Sequence, residues 1–353
     1  MRVKKIDNVT QSDTRALLLS GLGVLGFSGT LPATRLAVPH LGVVQVGLGR
    51  ALLAAVCAAL VLLGSRAALP SRAQCTRLLV VALGVVVGFP WLSGWALTRM
   101  PASRASLVVA LTPLLTAALS VLRDKARPPL RFWLGSGLGT ACVMVYLAVS
   151  AGEQTAAAGS SMLPEMALLL ATLCAAVGYH EGARLSVEMG GVRVISWALV
   201  LAVPLVLPIV LSQPLPFSQS LPSKDVPYSA WLGFGYVSLI SMYGAFFFWY
   251  NGLSRAGVAR ASQVQLMQPL LSLAWAGIFV GEELSPWLFL TGVAVLGSMS
   301  VAVRSSVGSR PARPAHLAQG KVNHPATGHS AQRADLKRRL TPYVVSVTEQ
   351  TRR

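Results

Sequence analysis

The chain has 353 residues, 54% of them hydrophobic and only 12% charged, with a formal net charge of +18 and a mean hydropathy of +0.60. Soluble domains carry roughly 25% charged residues, so this composition excludes an ordinary soluble enzyme and points to a multi-pass membrane protein. The basic excess does not imply nucleic acid, because ten of the thirty Lys and Arg crowd into residues 304–353 with no folded basic module beside them.

Residues 1–15 (MRVKKIDNVTQSDTR) are basic and precede an apolar run of span length, with further runs behind it, so they read as a retained cytosolic N-terminus rather than a cleaved signal. A helix crossing the bilayer needs about 20 mostly apolar residues. Runs of that kind fall at 16–37, 42–64, 76–98, 102–122 and 131–150. A Gly/Ala-rich polar linker, 151–163, separates them from five more at 164–185, 191–211, 230–252, 258–280 and 285–303. The predicted fold class is an all-α integral membrane protein with ten transmembrane helices. Residues 304–353, rich in Pro, Gly, Ser and Arg, have too little apolar content to bury a core and read as a disordered basic cytosolic tail.

Charge orients the spans. With the N-terminus inside, the cytosolic segments collect Arg66, Arg72 and Arg77, then Arg123, Lys125, Arg127 and Arg131, and the whole tail. The opposite side keeps only Arg35, Arg99, Arg104 and Lys224. This asymmetry places both termini in the cytosol.

One passage occurs twice. ALTRMPASRASLVVALTPLL at 96–115 matches GLSRAGVARASQVQLMQPLL at 252–271 when Leu97 is set on Leu253, Arg104 on Arg260 and Pro113 on Pro269. Five spans separate the copies, so they cross the membrane in opposite directions. That is the mark of an inverted duplication, with one five-helix repeat at 16–150 and a second at 164–303 and with substrate bound between them near the midplane. A weaker match sets Arg35 on Arg184 and Gly42-Val43 on Gly191-Val192.

The residues ASLVVALTPLLTAALSVL followed by RPPLRFWLGSGL, and again ASQVQLMQPLLSLAWAGIFVGEELSPWLFLTGVAVLG with Gly281-Glu282 before the last span, resemble the EamA-type members of the drug/metabolite transporter superfamily. The first repeat has Arg123-Asp124-Lys125 where the Gly-Glu would fall. The resemblance implies a ten-helix carrier, exporting small metabolites or toxic organic compounds across a bacterial inner membrane by alternating access. A flippase or flippase subunit for a lipid-linked cargo is the alternative within transport.

Candidate substrate contacts come from the polar positions inside spans. Ser262, Gln265, Gln268 and Ser272 share one face of span nine, and Ser106, Val109, Thr112 and Thr116 the matching face of span four. Gln265, Gln268 and Thr112 are therefore candidates for substrate contact or for interhelical hydrogen bonds. Pro113 and Pro269 each free the carbonyl four residues earlier, Val109 and Gln265, which needs a partner or a wet cavity. Both prolines are candidate hinges. Tyr243 and Phe247 on span eight, and Trp91 on span three, could stack a solute or serve as core and interfacial aromatics. His180 and Glu181 are a candidate proton relay, against the alternative of an ion pair between Glu181 and Arg184. Arg50, near mid-depth in span two, could hold an anionic group of a substrate or anchor neighbouring helices.

No cofactor is implied. Cys57, Cys75, Cys142 and Cys174 lack metal-ligand spacing, and the chain has no Walker motif. GFSG at 26–29 could suggest an intramembrane serine protease with His180 as base, a remote alternative on four small residues. The expected partners are a small-molecule substrate and the lipid bilayer. The Gly-rich helix faces would also suit a homodimer.

Overall fold

The computed structural model describes residues 2–99, 108–124, 128–151, 162–213, 226–280 and 286–305. The predicted linker at 151–163 (apart from its ends), the tail beyond Ser305, Gly281-Glu282 and the Arg104–Ser106 portion of the repeated passage lie outside them. The described segments are helical. α1 comprises Arg2–Ser28 and Thr30–Leu41, interrupted at Gly29. α2 is Gln45–Gly64 and α3 is Arg72–Ala96. α4 is Thr112–Asp124 and α5 is Leu130–Ala151. α6 is Leu163–Met189, α7 is Gly191–Leu211 and α8 is Tyr228–Ala256. α9 runs as Val258–Ser262, a 3-10 stretch Gln263–Met267 and Gln268–Val280. α10 is Pro286–Ser305.

Six of these segments, among the described residues, are long and apolar enough to cross a membrane. Helices satisfy every backbone polar group internally, which lipid demands. Leu18, Leu60, Leu134 and Val293 turn more than half of their surface outward. Such a surface suits hydrocarbon and not water. Among the described residues the regular structure is all helical, and the chain is a multi-pass membrane protein.

Helix ends follow local chemistry. α3 begins at Arg72, four residues before the expected start of the third span, because Ser71 and Gln74 form a reciprocal capping box, with Gln74 N–H donating to Ser71 Oγ at 3.3 Å and Ser71 N–H to Gln74 Oε1 at 3.0 Å. The turns into α2 and α7 place Gly42 and Gly190 at φ 84° and 85°, a conformation that glycine adopts without steric cost. The sequence match pairs Gly42 with Gly191 instead. The left-handed residue must precede the first helical residue, and in the second half that position is Gly190.

The packing has a pattern. α1 packs on α8 and α3 on α6; α4 packs on α6 and α9 on α1; α2 packs on α8 and α7 on α3. α2 meets α7, α4 meets α9 and α5 meets α10. Exchanging each helix for the one five places along maps these contacts onto one another. α3 and α8, which that exchange interchanges, both widen into π-helix at mid-length, over Ala82–Gly88 and Tyr236–Gly244. Gly88 and Gly244, which close them, are related by the same shift that pairs Leu97 with Leu253.

The densest apolar contact joins α1, α6 and α8. The Phe27 ring meets Phe246 at 4.9 Å and Trp249 at 6.1 Å, edge to face, and Trp249 meets Tyr179 at 5.4 Å. Trp249 and Tyr250 are fully buried.

Candidate functional site

A cavity of about 100 Å³ opens among α1, α2, α3, α4, α6, α8 and α9. α2, α3 and α4 line it from one end, α6 and α8 as far as their middles. Thr30, Thr34 and Val38 lie in the second half of α1, Val46 and Arg50 in the first half of α2, and Phe89 and Ser93 in the second half of α3. Val109 lies three residues before α4 and Thr112 opens it, and Tyr179 and Phe246 come from α6 and α8. Gln265 and Gln268 reach it from the middle of α9.

Four of the sequence-predicted positions thus share this lining: Arg50, Thr112, Gln265 and Gln268. Arg50, Thr112 and Gln265 are buried, between 5% and 6% exposed. The buried Nε of Arg50 and Oε1 of Gln265 have no hydrogen-bond partner. Tyr179 lies beside the Gln265 side chain and within electrostatic reach of Arg50. The other three predicted contacts lie elsewhere. Trp91 is 46% exposed and faces away from the cavity lining. Tyr243 and Phe247 pack edge to face at 4.4 Å, and the Tyr243 hydroxyl bonds the Ser196 hydroxyl at 2.9 Å, tying α8 to α7. Tyr243→Phe should therefore cost about 1 kcal/mol, lowering the thermal midpoint by a few degrees while leaving transport unchanged. A loss of transport at full folded yield would return Tyr243 to the site.

The two prolines do what their carbonyls require. In α4, the carbonyl of Val109 freed by Pro113 accepts the Thr112 hydroxyl at 2.5 Å. In α9, the carbonyl of Gln265 freed by Pro269 accepts the Gln268 N–H, closing the 3-10 stretch. A 3-10 segment inside a long helix is a common hinge device.

Sequence reasoning did not single out Thr30, Ser241 or Tyr179. The Thr30 and Ser241 hydroxyls bond each other at 2.7 Å across α1 and α8, where α1 breaks at Gly29. The Gly/Ser-rich run GFSGT was the available signal. Ser28, within it, donates Oγ–H to the Leu25 carbonyl at 2.7 Å and accepts Trp275 Nε1–H at 2.8 Å, while its own carbonyl accepts the Ser272 hydroxyl at 2.6 Å. Its hydroxyl braces the helix break and donates to a backbone carbonyl, not to a base.

The ends of α3 and α4 away from the cavity carry charge and meet α6 just beyond Tyr179. Glu181 on α6 pairs with Arg77 at the start of α3 and, at 3.4 Å, with Arg123 at the end of α4. Arg77 also reaches Glu188 at 2.5 Å, and His180 Nε2 stands 3.4 Å from Asp124 Oδ1. The carboxylate of Glu181 thus turns across to two other helices, and its ion pairs with them take the place of the expected one with Arg184 on its own helix. Among the described residues no group of three His, Cys, Asp or Glu could hold a metal.

The EamA-like transporter family matches residues 14–148 and again 162–304. The chain belongs to that family. It is 39% identical over 283 residues to the uncharacterized transporter YdeK of Bacillus subtilis (strain 168), covering 80% of this chain and 95% of that protein. A solved crystal structure of a protein 19% identical in sequence superposes with a TM-score of 0.65, over 82% of this chain and 97% of the other. At that identity it speaks to the fold alone. This EamA-like chain is accordingly a membrane transporter of the drug/metabolite transporter superfamily, and its cavity is the place to look for cargo.

Proposed function

We propose that the chain is a ten-span secondary transporter in a bacterial inner membrane, built from two inverted five-helix halves (16–150 and 164–303) with both termini cytosolic. It exports a small metabolite or toxic organic compound by alternating access. The observation that carries this reading is the cavity lining. Val109 and Thr112, at the entry to α4, and their repeat counterparts Gln265 and Gln268 of α9 all face the same space, so one site is shared by equivalent positions of both halves. The self-mapping of the helix contacts supports the same duplication.

In the proposed orientation α2, α3 and α4 give the cavity residues from their extracytoplasmic halves, α6 and α8 reach it as far as Tyr179 and Phe246 near mid-depth, and the Arg77–Glu181–Arg123 cluster lies on the cytosolic side. This is an outward-facing state whose cytosolic side is held shut by that clasp. We assign Glu181 and His180 to this closure in place of a proton relay. Opening inward breaks the clasp while α4 and α9 flex at Pro113 and Pro269. Pro269→Ala restores an N–H for the Gln265 carbonyl and the regular helix, so it should raise the thermal midpoint by a few degrees while slowing turnover about tenfold. Unchanged turnover in the stabilised variant would remove the hinge.

The test of export compares extracellular metabolites of cells making the wild type with cells making an equal amount of Gln265→Ala/Gln268→Ala. A solute that accumulates outside only with the wild type is the expected result. Equal extracellular profiles would count against export through this site.

A further inference from the structure

Resting on that reading, we infer that the cargo is a small organic monoanion, a carboxylate with an uncharged, largely apolar body, and that Arg50 takes its charge. Arg50 is 6% exposed, lies within a membrane-length helix and lines the cavity. A guanidinium in such a place is expensive unless something offsets it, normally a carboxylate. Among the described residues none does: Arg50 is in no ion pair, and Glu181, Glu188 and Asp124 are taken by Arg77, Arg123 and His180, outside the cavity lining. The cavity lining contains no Asp or Glu among the described residues. Arg50 Nε has no hydrogen-bond partner. Among the described residues the cavity thus carries one positive charge without a carboxylate beside it, and the Arg50 Nε–H is unspent.

A carboxylate fits those donors, because the planar fork of Arg offers parallel hydrogen bonds to two oxygens. The remaining wall sets the body of the ligand. Phe27, Phe89, Phe246 and Met242 supply apolar surface, and the Thr30 and Ser241 hydroxyls are engaged with each other and with the Phe27 carbonyl. A cation entering this space would meet Arg50 with no carboxylate among the described lining residues to receive it, and the ammonium of a zwitterion would find only neutral acceptors such as Gln265 Oε1. Both are selected against by the same absence. The size is also limiting. A cavity of about 100 Å³ is of the order of engineered apolar cavities that accept a single benzene ring, about 150 Å³.

The test uses the full-length protein in detergent and three probes of one shape: benzoate, benzamide and benzylamine. Thermal-shift titration of the wild type should show benzoate stabilising the protein at concentrations at least about tenfold lower than benzamide, with no shift from benzylamine. Arg50→Gln should erase the preference for benzoate, and Arg50→Lys, which keeps the charge and loses the fork, should retain part of it. Equal shifts from benzoate and benzamide, no shift from benzoate, or a benzoate shift unchanged in Arg50→Gln would each overturn the assignment. Because the assay reads binding and not export, a failed metabolite comparison with intact benzoate selectivity would sink the export reading and leave the anion site. The converse result would spare export and remove the anion.

Discussion

Glu181→Gln is expected to unlock the cytosolic side of the bundle. Glu181 is only 7% exposed at its side chain and is the carboxylate shared by Arg77 and Arg123. Its amide replacement leaves two guanidinium groups near one another, with only Glu188 still holding Arg77. The arginines are 28% and 43% exposed, so water screens part of the loss. The cost falls between that of an exposed pair and that of a fully buried one, about 1–3 kcal/mol. Applied to a two-state equilibrium, that shifts the ratio of closed to open cytosolic sides by about 5- to 150-fold. Spin labels at Thr76→Cys on α3 and Val187→Cys on α6, both exposed positions, should show a single short distance in the wild-type background. A longer component should appear in Glu181→Gln. An unchanged distance distribution would make the cluster an ornament of the surface and not a clasp.

The largest loss of stability is expected at Trp249. Its indole is wholly buried between the Phe27 and Tyr179 rings, where α1, α6 and α8 converge. Trp249→Ala removes that packing and leaves a void which neighbouring backbones cannot fill, a loss of about 3–5 kcal/mol. Phe27 and Tyr179 also line the cavity, so the variant should lose ligand-induced stabilisation together with its thermal midpoint. Trp249→Phe, which keeps an aromatic wall, should recover most of both. A drop in midpoint of less than a degree for Trp249→Ala would show that the convergence of these three helices is not where the bundle draws its stability.

How much of this was legible in the sequence depends on what each feature rests upon. The helical membrane class follows from apolar runs and needs no tertiary information. Gln265, Gln268 and Thr112 were found because amide and hydroxyl groups inside a span must face protein or water, and the repeat fixed which face. Pro113 and Pro269 were legible for the same reason: the missing N–H names the carbonyl it frees. The partners of those carbonyls, a Thr112 hydroxyl in one half and a Gln268 N–H in the other, were not legible, since each depends on the local path of the backbone. Aromatic residues carry no such instruction. Tyr243 and Phe247 on one side, and Tyr179 and Phe246 on the other, look alike in sequence, and only helix rotation decides which pair meets the cavity. The partners of Glu181 were hidden too, because Arg77 and Arg123 lie in distant parts of the chain and come together only when α3, α4 and α6 pack.

The account stands on a cavity reached from outside while the clasp closes the inside. In a background with Cys57, Cys75, Cys142 and Cys174 replaced, single variants Gln268→Cys in the cavity and Ser120→Cys, buried on α4 beside the clasp, can be exposed to a membrane-impermeant maleimide. Right-side-out and inverted vesicles supply the two faces. The expected result is that Gln268→Cys reacts in right-side-out vesicles, whereas Ser120→Cys stays protected there and reacts slowly in inverted ones, only as the clasp opens. Reaction of Gln268→Cys from the cytosolic face alone would contradict the proposed orientation of the cavity.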